Sequence, residues 1–123
     1  MTAGNRTAAL REALLATQLS HEVLDLIAAR FRALAEPARL RILNRLMAGE
    51  ATVTELVEAT GLSQANVSKH LQLLRTSGFV ARRKEGLFAH YSVADPSVET
   101  LCEIMCERLE DQTEARASVL ANG

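Results

Sequence analysis

The chain has 123 residues, of which 48% are apolar and 24% charged, with a formal net charge of −1. That is the length of one domain with an ordinary globular composition, which excludes a disordered or fibrous protein and leaves little room for a second domain. With three Phe, one Tyr and no Trp, the core must be built from Leu, Val, Ile and Ala, the material of helix-on-helix packing, and the expected class is mainly α.

Leu10, Leu14, Leu15, Leu19, Val23, Leu24, Leu26, Ile27, Phe31 and Leu34 recur at helical spacing, and Ser20 is placed to cap the later part of this arm. Pro37 suits the first position of a new helix that carries Leu40, Ile42, Leu43, Leu46 and Met47 and ends at Gly49. Thr54 is expected to cap a third helix, with Leu56 and Val57, that stops at Gly61. Ser63 then caps a fourth, with Val67, Leu71 and Leu74 on one face before Gly78.

From Phe79 to Val93 the residues become β-rich on either side of Lys84-Glu85-Gly86-Leu87, which predicts a two-stranded hairpin with Gly86 in the turn. Asp95-Pro96 opens a final helix of about 20 residues whose stripe is Val98, Leu101, Cys102, Met105 and Leu109. The tail after Arg116 is expected to fray. Residues 1–123 thus form a single domain: an N-terminal helical arm (1–35), a central segment ending in the hairpin (36–93) and a C-terminal helix (94–118). The fold class is mainly α (α+β), and the last helix has an apolar stripe that so small a chain cannot cover, which predicts a homodimer.

The net charge hides an uneven distribution. Residues 37–93 carry eight basic groups against four acidic ones, and from Ala59 to Lys84 there is no acidic residue at all. Residues 94–123 carry two basic and seven acidic groups. A local positive field over a helix, a tight turn, a second helix and a basic hairpin is the pattern of a winged helix-turn-helix on double-stranded DNA. The fourth helix would enter the major groove, with Gln64, Ala65, Asn66, Ser68, Lys69 and Gln72 facing away from the core. Gln64 and Asn66 have the geometry to read adenine. Ser63 would combine capping with a phosphate contact, while Arg39, Arg82, Arg83 and Lys84 would hold the backbone without reading sequence.

Two stretches, Leu34-Ala35-Glu36-Pro37-Ala38-Arg39-Leu40-Arg41-Ile42-Leu43 and Gly61-Leu62-Ser63-Gln64-Ala65-Asn66-Val67-Ser68-Lys69-His70-Leu71, closely resemble the ArsR/SmtB family of bacterial repressors. The Arg82-Arg83-Lys84-Glu85-Gly86 hairpin follows in the family's order, and the match runs over roughly residues 20–110. The resemblance implies a homodimeric winged helix-turn-helix repressor with a two-stranded β-wing, dimerised through its first and last helices, that sits on an imperfect inverted repeat and leaves when an inducer binds. His70, on the recognition helix, is expected to be a DNA-side or a helix-packing residue and not a metal ligand.

Many members of that family bind metals, at two sites whose positions fall on other residues here. The thiol pair of the third helix falls on Val57 and Ala59, and the histidines of the last helix fall on Ser97 and Arg108. Cys102 and Cys106 remain, spaced i, i+4 on one face of the last helix. Thiolates there suit a thiophilic metal ion or metalloid as inducer, or thiol oxidation or persulfidation, and no other cofactor is required. The alternative is that both cysteines simply pack, as small hydrophobes.

Two cysteines are too few for a disulfide scaffold, no run approaches the ~18 apolar residues of a membrane span, and Met1 to Leu10 lacks a signal-peptide pattern. The expectation is a cytoplasmic protein with no membrane partner. No phosphate loop, His-Glu-x-x-His or nucleophile elbow occurs, so no enzyme is expected. A winged helix that binds only proteins is the remaining rival, and it has no need of an acid-free basic window.

Overall fold

The structure, a computed structural model, describes residues 8, 9, 11, 12 and 18–122, the last eight of them by backbone alone. Leu10, Leu14 and Leu15 of the predicted arm lie outside the described residues. The chain divides between Ala35 and Glu36 into two units.

In the first unit, α1 spans His21–Leu34. Ser20 caps it, accepting the Val23 backbone N–H at 3.2 Å. Val23, Leu24, Leu26 and Phe31 are exposed apolar residues on it.

The second unit begins with α2 (Pro37–Met47), whose first residue is the proline. Proline costs nothing there, because the first helical N–H has no partner in any case. Arg45 closes the other end by donating to the Gly49 carbonyl at 3.1 Å. The next helix, α3 (Val53–Thr60), is capped by Thr52 and not by Thr54. The reason is a reciprocal box: the Glu55 N–H donates to Thr52 Oγ1 at 3.3 Å, and the Thr52 N–H donates to Glu55 Oε1 at 3.2 Å. Thr54 has Val57 at the corresponding place and can form no such pair.

Gly61 ends α3 at φ +75°, and only Gly61, Leu62 and Ser63 separate it from α4 (Gln64–Thr76). After Gly78 come β1 (Val80–Glu85) and β2 (Phe88–Val93), antiparallel, with Val80 opposite Val93, Arg82 opposite Tyr91 and Arg83 opposite His90. Gly86, at φ +62°, makes the turn between them. Ala51 adds an isolated bridge to Tyr91 on the far edge of β2, through bonds of 3.0 and 2.8 Å.

The last helix, α5, runs Ser97–Asn122. Asp95 accepts the Ser97 N–H at 2.9 Å. The predicted fraying after Arg116 is not seen: Ala115, Arg116, Ala117, Leu120 and Ala121 are strong helix formers that extend it. The core of this unit is mostly aliphatic: Ile42, Leu43, Leu56, Val67, Leu71, Leu74 and Val98 are buried, with Phe79 as its one buried aromatic among the described residues.

Candidate nucleic-acid interface

Three residues fix α4 to the core: Val67, Leu71 and Leu74 are buried, and their spacing occupies one helix face. The other face is consequently open, and Gln64, Ala65, Asn66, Ser68, Lys69 and Gln72 are all exposed. At its N-terminus Val67 N–H goes to the Ser63 carbonyl at 2.9 Å and Asn66 N–H to Ser63 Oγ at 3.1 Å. The helix geometry leaves the amides of Gln64 and Ala65 free to face an anion. Since Ser63 accepts through its oxygen, its hydroxyl proton is still available to a phosphate.

His70 is half-buried, and its Nδ1 lies 3.3 Å from Arg39 Nη1. A guanidinium can only donate, so this nitrogen accepts and the imidazole proton sits on Nε2. The start of α2 is thereby tied to the middle of α4. The two residues that the sequence offered as separate contacts are partners of one another.

The basic run Arg82-Arg83-Lys84 is split by the two-residue period of β1. Val80 is buried, so Arg82 and Lys84 share the face of the hairpin that turns toward the core side and α4, whereas Arg83 belongs to the opposite face with Glu85 and His90. Arg83 is held there by two carboxylates. Its Nε and Nη2 donate to Glu50 at 3.2 and 3.1 Å, and its Nη1 donates to Glu85 at 2.7 Å. His90 Nε2 approaches Glu85 at 4.0 Å. The bond from Arg83 holds the Glu50 carboxyl below the usual range, and a second from Arg83 does the same for Glu85. Both carboxylates, Glu50 first, raise the guanidinium's own pKa. Arg83, read from the sequence as a phosphate contact, takes part in a clamp that ties the hairpin to the segment before α3. Among the described residues Arg82 and Lys84 have no ion pair.

A groove of about 490 Å³ separates α4 from the hairpin, lined by Ser68, Leu71, Gln72, Arg75, Thr76, Arg82 and Tyr91. Arg75 was not among the contacts expected from the sequence. Its only signal there was membership of the acid-free window, because its neighbourhood to Arg82 exists only once the hairpin folds back on α4.

The two cysteines lie apart from this face. Cys102 is half-buried and Cys106 exposed, and both are free thiols. They line an open groove of about 330 Å³ with Met47, Glu99 and Glu103. Cys106 Sγ points toward Glu110 Oε1 at 3.9 Å. Met47 adds a thioether from α2 that spacing along α5 could not reveal. Among the described residues no three His, Cys, Asp or Glu side chains converge as a metal site.

Residues 36–82 match the family model described as bacterial regulatory protein, arsR family. A Mycobacterium tuberculosis protein, the uncharacterized HTH-type transcriptional regulator Rv0081, is 36% identical over 102 residues, covering 82% of this chain and 90% of that one. The chain belongs to the ArsR/SmtB family. Against the crystal structure of Rv0081 this family member gives a TM-score of 0.72 at 35% identity, over 80% of this chain and 99% of the other. The homodimeric winged helix-turn-helix DNA-binding domain of a Mycobacterium bovis protein gives 0.69 at 33% identity, over 80% and 94%. A Streptomyces lividans protein described as a probable mercury resistance operon repressor is 47% identical over 77 residues, 63% of this chain and 62% of that protein's length. The ArsR/SmtB members are DNA-binding transcriptional repressors, and the hairpin of this chain is the wing of their fold. Among the described residues no helix is long and apolar enough to cross a membrane.

Proposed function

We propose that this ArsR/SmtB member is a homodimeric repressor that reads an inverted repeat in double-stranded DNA through α4 and is released by thiol chemistry on α5. The observation that carries the DNA reading is the division of α4 into a buried apolar face and an open polar one, inside a window from Ala59 to Lys84 that holds five basic residues and no acidic one. Gln64, Ala65, Asn66, Ser68 and Lys69 meet base edges and flanking phosphates. Ser63 and the first amides of α4 hold one phosphate, and Arg82 and Lys84 hold others. Arg39 and His70 set the orientation of α4 and contact the backbone from its flank.

The dimer is supported by what the single chain leaves uncovered. Val98 is 1% exposed, yet further along the same helix Ile104, Met105 and Leu109 are 48%, 60% and 62% exposed. A second copy would cover them through α1 and α5.

Sensing through Cys102 and Cys106 is supported by their shared groove with Met47, a set of soft sulfur donors suited to a thiophilic cation or trivalent arsenic. Binding would release both thiol protons. The similarity to a mercury resistance operon repressor favours a soft metal over an oxidant. Coupling of about 1–3 kcal/mol between this groove and the spacing of two α4 helices is enough to change DNA affinity several-fold to a hundred-fold.

Fluorescence anisotropy of the reduced protein on its own upstream DNA tests this, repeated with mercuric ion, arsenite and a mild thiol oxidant beside Cys102→Ser and Cys106→Ser. Release by one treatment, lost in the serine variants, is the expected result. Binding that persists through all of them would assign both cysteines to packing.

A further inference from the structure

We infer that the groove between α4 and the wing holds a single phosphodiester of the DNA backbone, gripped jointly by Arg75 and Arg82. The inference rests on the DNA-binding reading above and adds to it a site, with Arg75 as a new member.

Ser68, Gln72, Arg75 and Thr76 follow one another at i, i+4, i+7 and i+8, so they stack along one face of α4 and form one wall of the groove. The opposite wall is a cross-strand pair, Arg82 and Tyr91, whose side chains share one face of the hairpin. The buried Leu71 closes the floor. Two guanidiniums therefore face one concavity that, among the described residues, contains no carboxylate.

Three features make this an oxyanion site and not a pair of solvated charges. First, neither Arg75 nor Arg82 has an ion pair among the described residues, whereas the adjacent Arg83 is paired with Glu50 and Glu85 on the other face. The strand period thus leaves Arg82 to the groove. Second, Arg75 stands in the last turn of α4, where its charge offsets the negative end of the helix that would otherwise repel an anion. Third, the Thr76 hydroxyl donates to the Gln72 carbonyl at 2.9 Å, so the donors left for a ligand are the two guanidiniums with the hydroxyls of Ser68 and Tyr91 and the Gln72 amide. Guanidinium forks match the paired free oxygens of a phosphodiester. Ser68 and Gln72 also belong to the reading face, so a phosphate held here fixes how α4 lies in the major groove.

The test uses the full chain with Arg75→Gln, Arg82→Gln and the double variant, and measures anisotropy on the upstream duplex and a scrambled one over a range of potassium chloride concentrations. Each phosphate contact contributes about 0.9 to the log–log salt slope, so a dimer loses about 2 when its two grooves are disabled. Each single variant is expected to lose about 2, on both duplexes alike, and the double variant no more than about 2, because one phosphate is released only once. Arg75→Lys and Arg82→Lys keep the charge and should keep the slope while binding more weakly.

Unchanged slopes in the glutamine variants, with the unaltered protein binding normally, would overturn the clasp alone. A loss of about 4 in the double variant would mean separate phosphates and overturn it as well. Failure of the unaltered protein to bind either duplex would overturn the DNA reading and the clasp with it. Inorganic phosphate, added to DNA-free protein at constant ionic strength, distinguishes the other source: shifts in the Tyr91 ring resonances that Arg75→Gln abolishes, combined with intact DNA slopes, would assign the groove to free phosphate.

Discussion

Arg83 illustrates how a charged residue is assigned by its neighbours and not by its sequence run. It lies between two basic residues, yet its guanidinium is committed to Glu50 and Glu85. Replacing it by Ala leaves two carboxylates uncompensated near the wing, so DNA affinity should fall on every sequence alike, through repulsion and a loosened hairpin. The clamp also makes stability depend on pH. Glu50 and Glu85 are both depressed in the folded protein by their bonds to Arg83. Their contribution is therefore present above the ordinary glutamate range and is lost as pH falls through the depressed values. Melting followed by circular dichroism should show a small difference in Tm between the unaltered protein and Arg83→Ala at neutral pH, and that difference should vanish in strong acid. An equal difference at both pH values would exclude the clamp as its origin. The basic triplet itself was legible in the sequence. Its division was not, because it depends on Glu50, which lies 33 residues away in the chain, and on the phase of β1.

At the scale of elements, the helices follow from apolar spacing and from caps that a residue and its neighbours specify locally. Ser20, Ser63 and Pro37 behave as their positions predict. The exception, Thr52 in place of Thr54, was decided by Glu55, and the capping box was itself readable three residues downstream. Thr52→Ala should cost about 1 kcal/mol in urea unfolding, whereas Thr54→Ala should stay within about 0.5 kcal/mol of zero. Leu71 lies under both α4 and the groove and is 1% exposed. Leu71→Ala should cost about 2–5 kcal/mol, a loss that orders the reading helix as part of the core. Less legible were the single-residue bridge of Ala51 to β2 and the meeting of Met47 with Cys102 and Cys106. Both join segments far apart in the chain, and neither leaves a periodic trace.

At the scale of the whole molecule, the overall negative charge conceals a positive DNA-facing segment and an acidic last helix. The exposed Met105 and Leu109 on α5 carry the prediction for assembly. Leu109→Glu should convert a dimer to a monomer in sedimentation, and should weaken operator binding far more than it affects the fold, because two half-sites can then no longer be held together. A dimer neutralising roughly 6–10 phosphates should show a log–log salt slope of about −5 to −9.

The central claim, that α4 reads sequence while the wing only holds the backbone, is tested most directly by one comparison. Reduced protein and Asn66→Ala are titrated by anisotropy onto the upstream duplex and a scrambled duplex at one salt concentration. The account predicts that the unaltered protein prefers the upstream duplex by about 10³-fold or more, and that Asn66→Ala loses about 1–3 kcal/mol of that preference with little change on the scrambled duplex. Equal affinity for the two duplexes, or an Asn66→Ala loss of the same size on both, would contradict it.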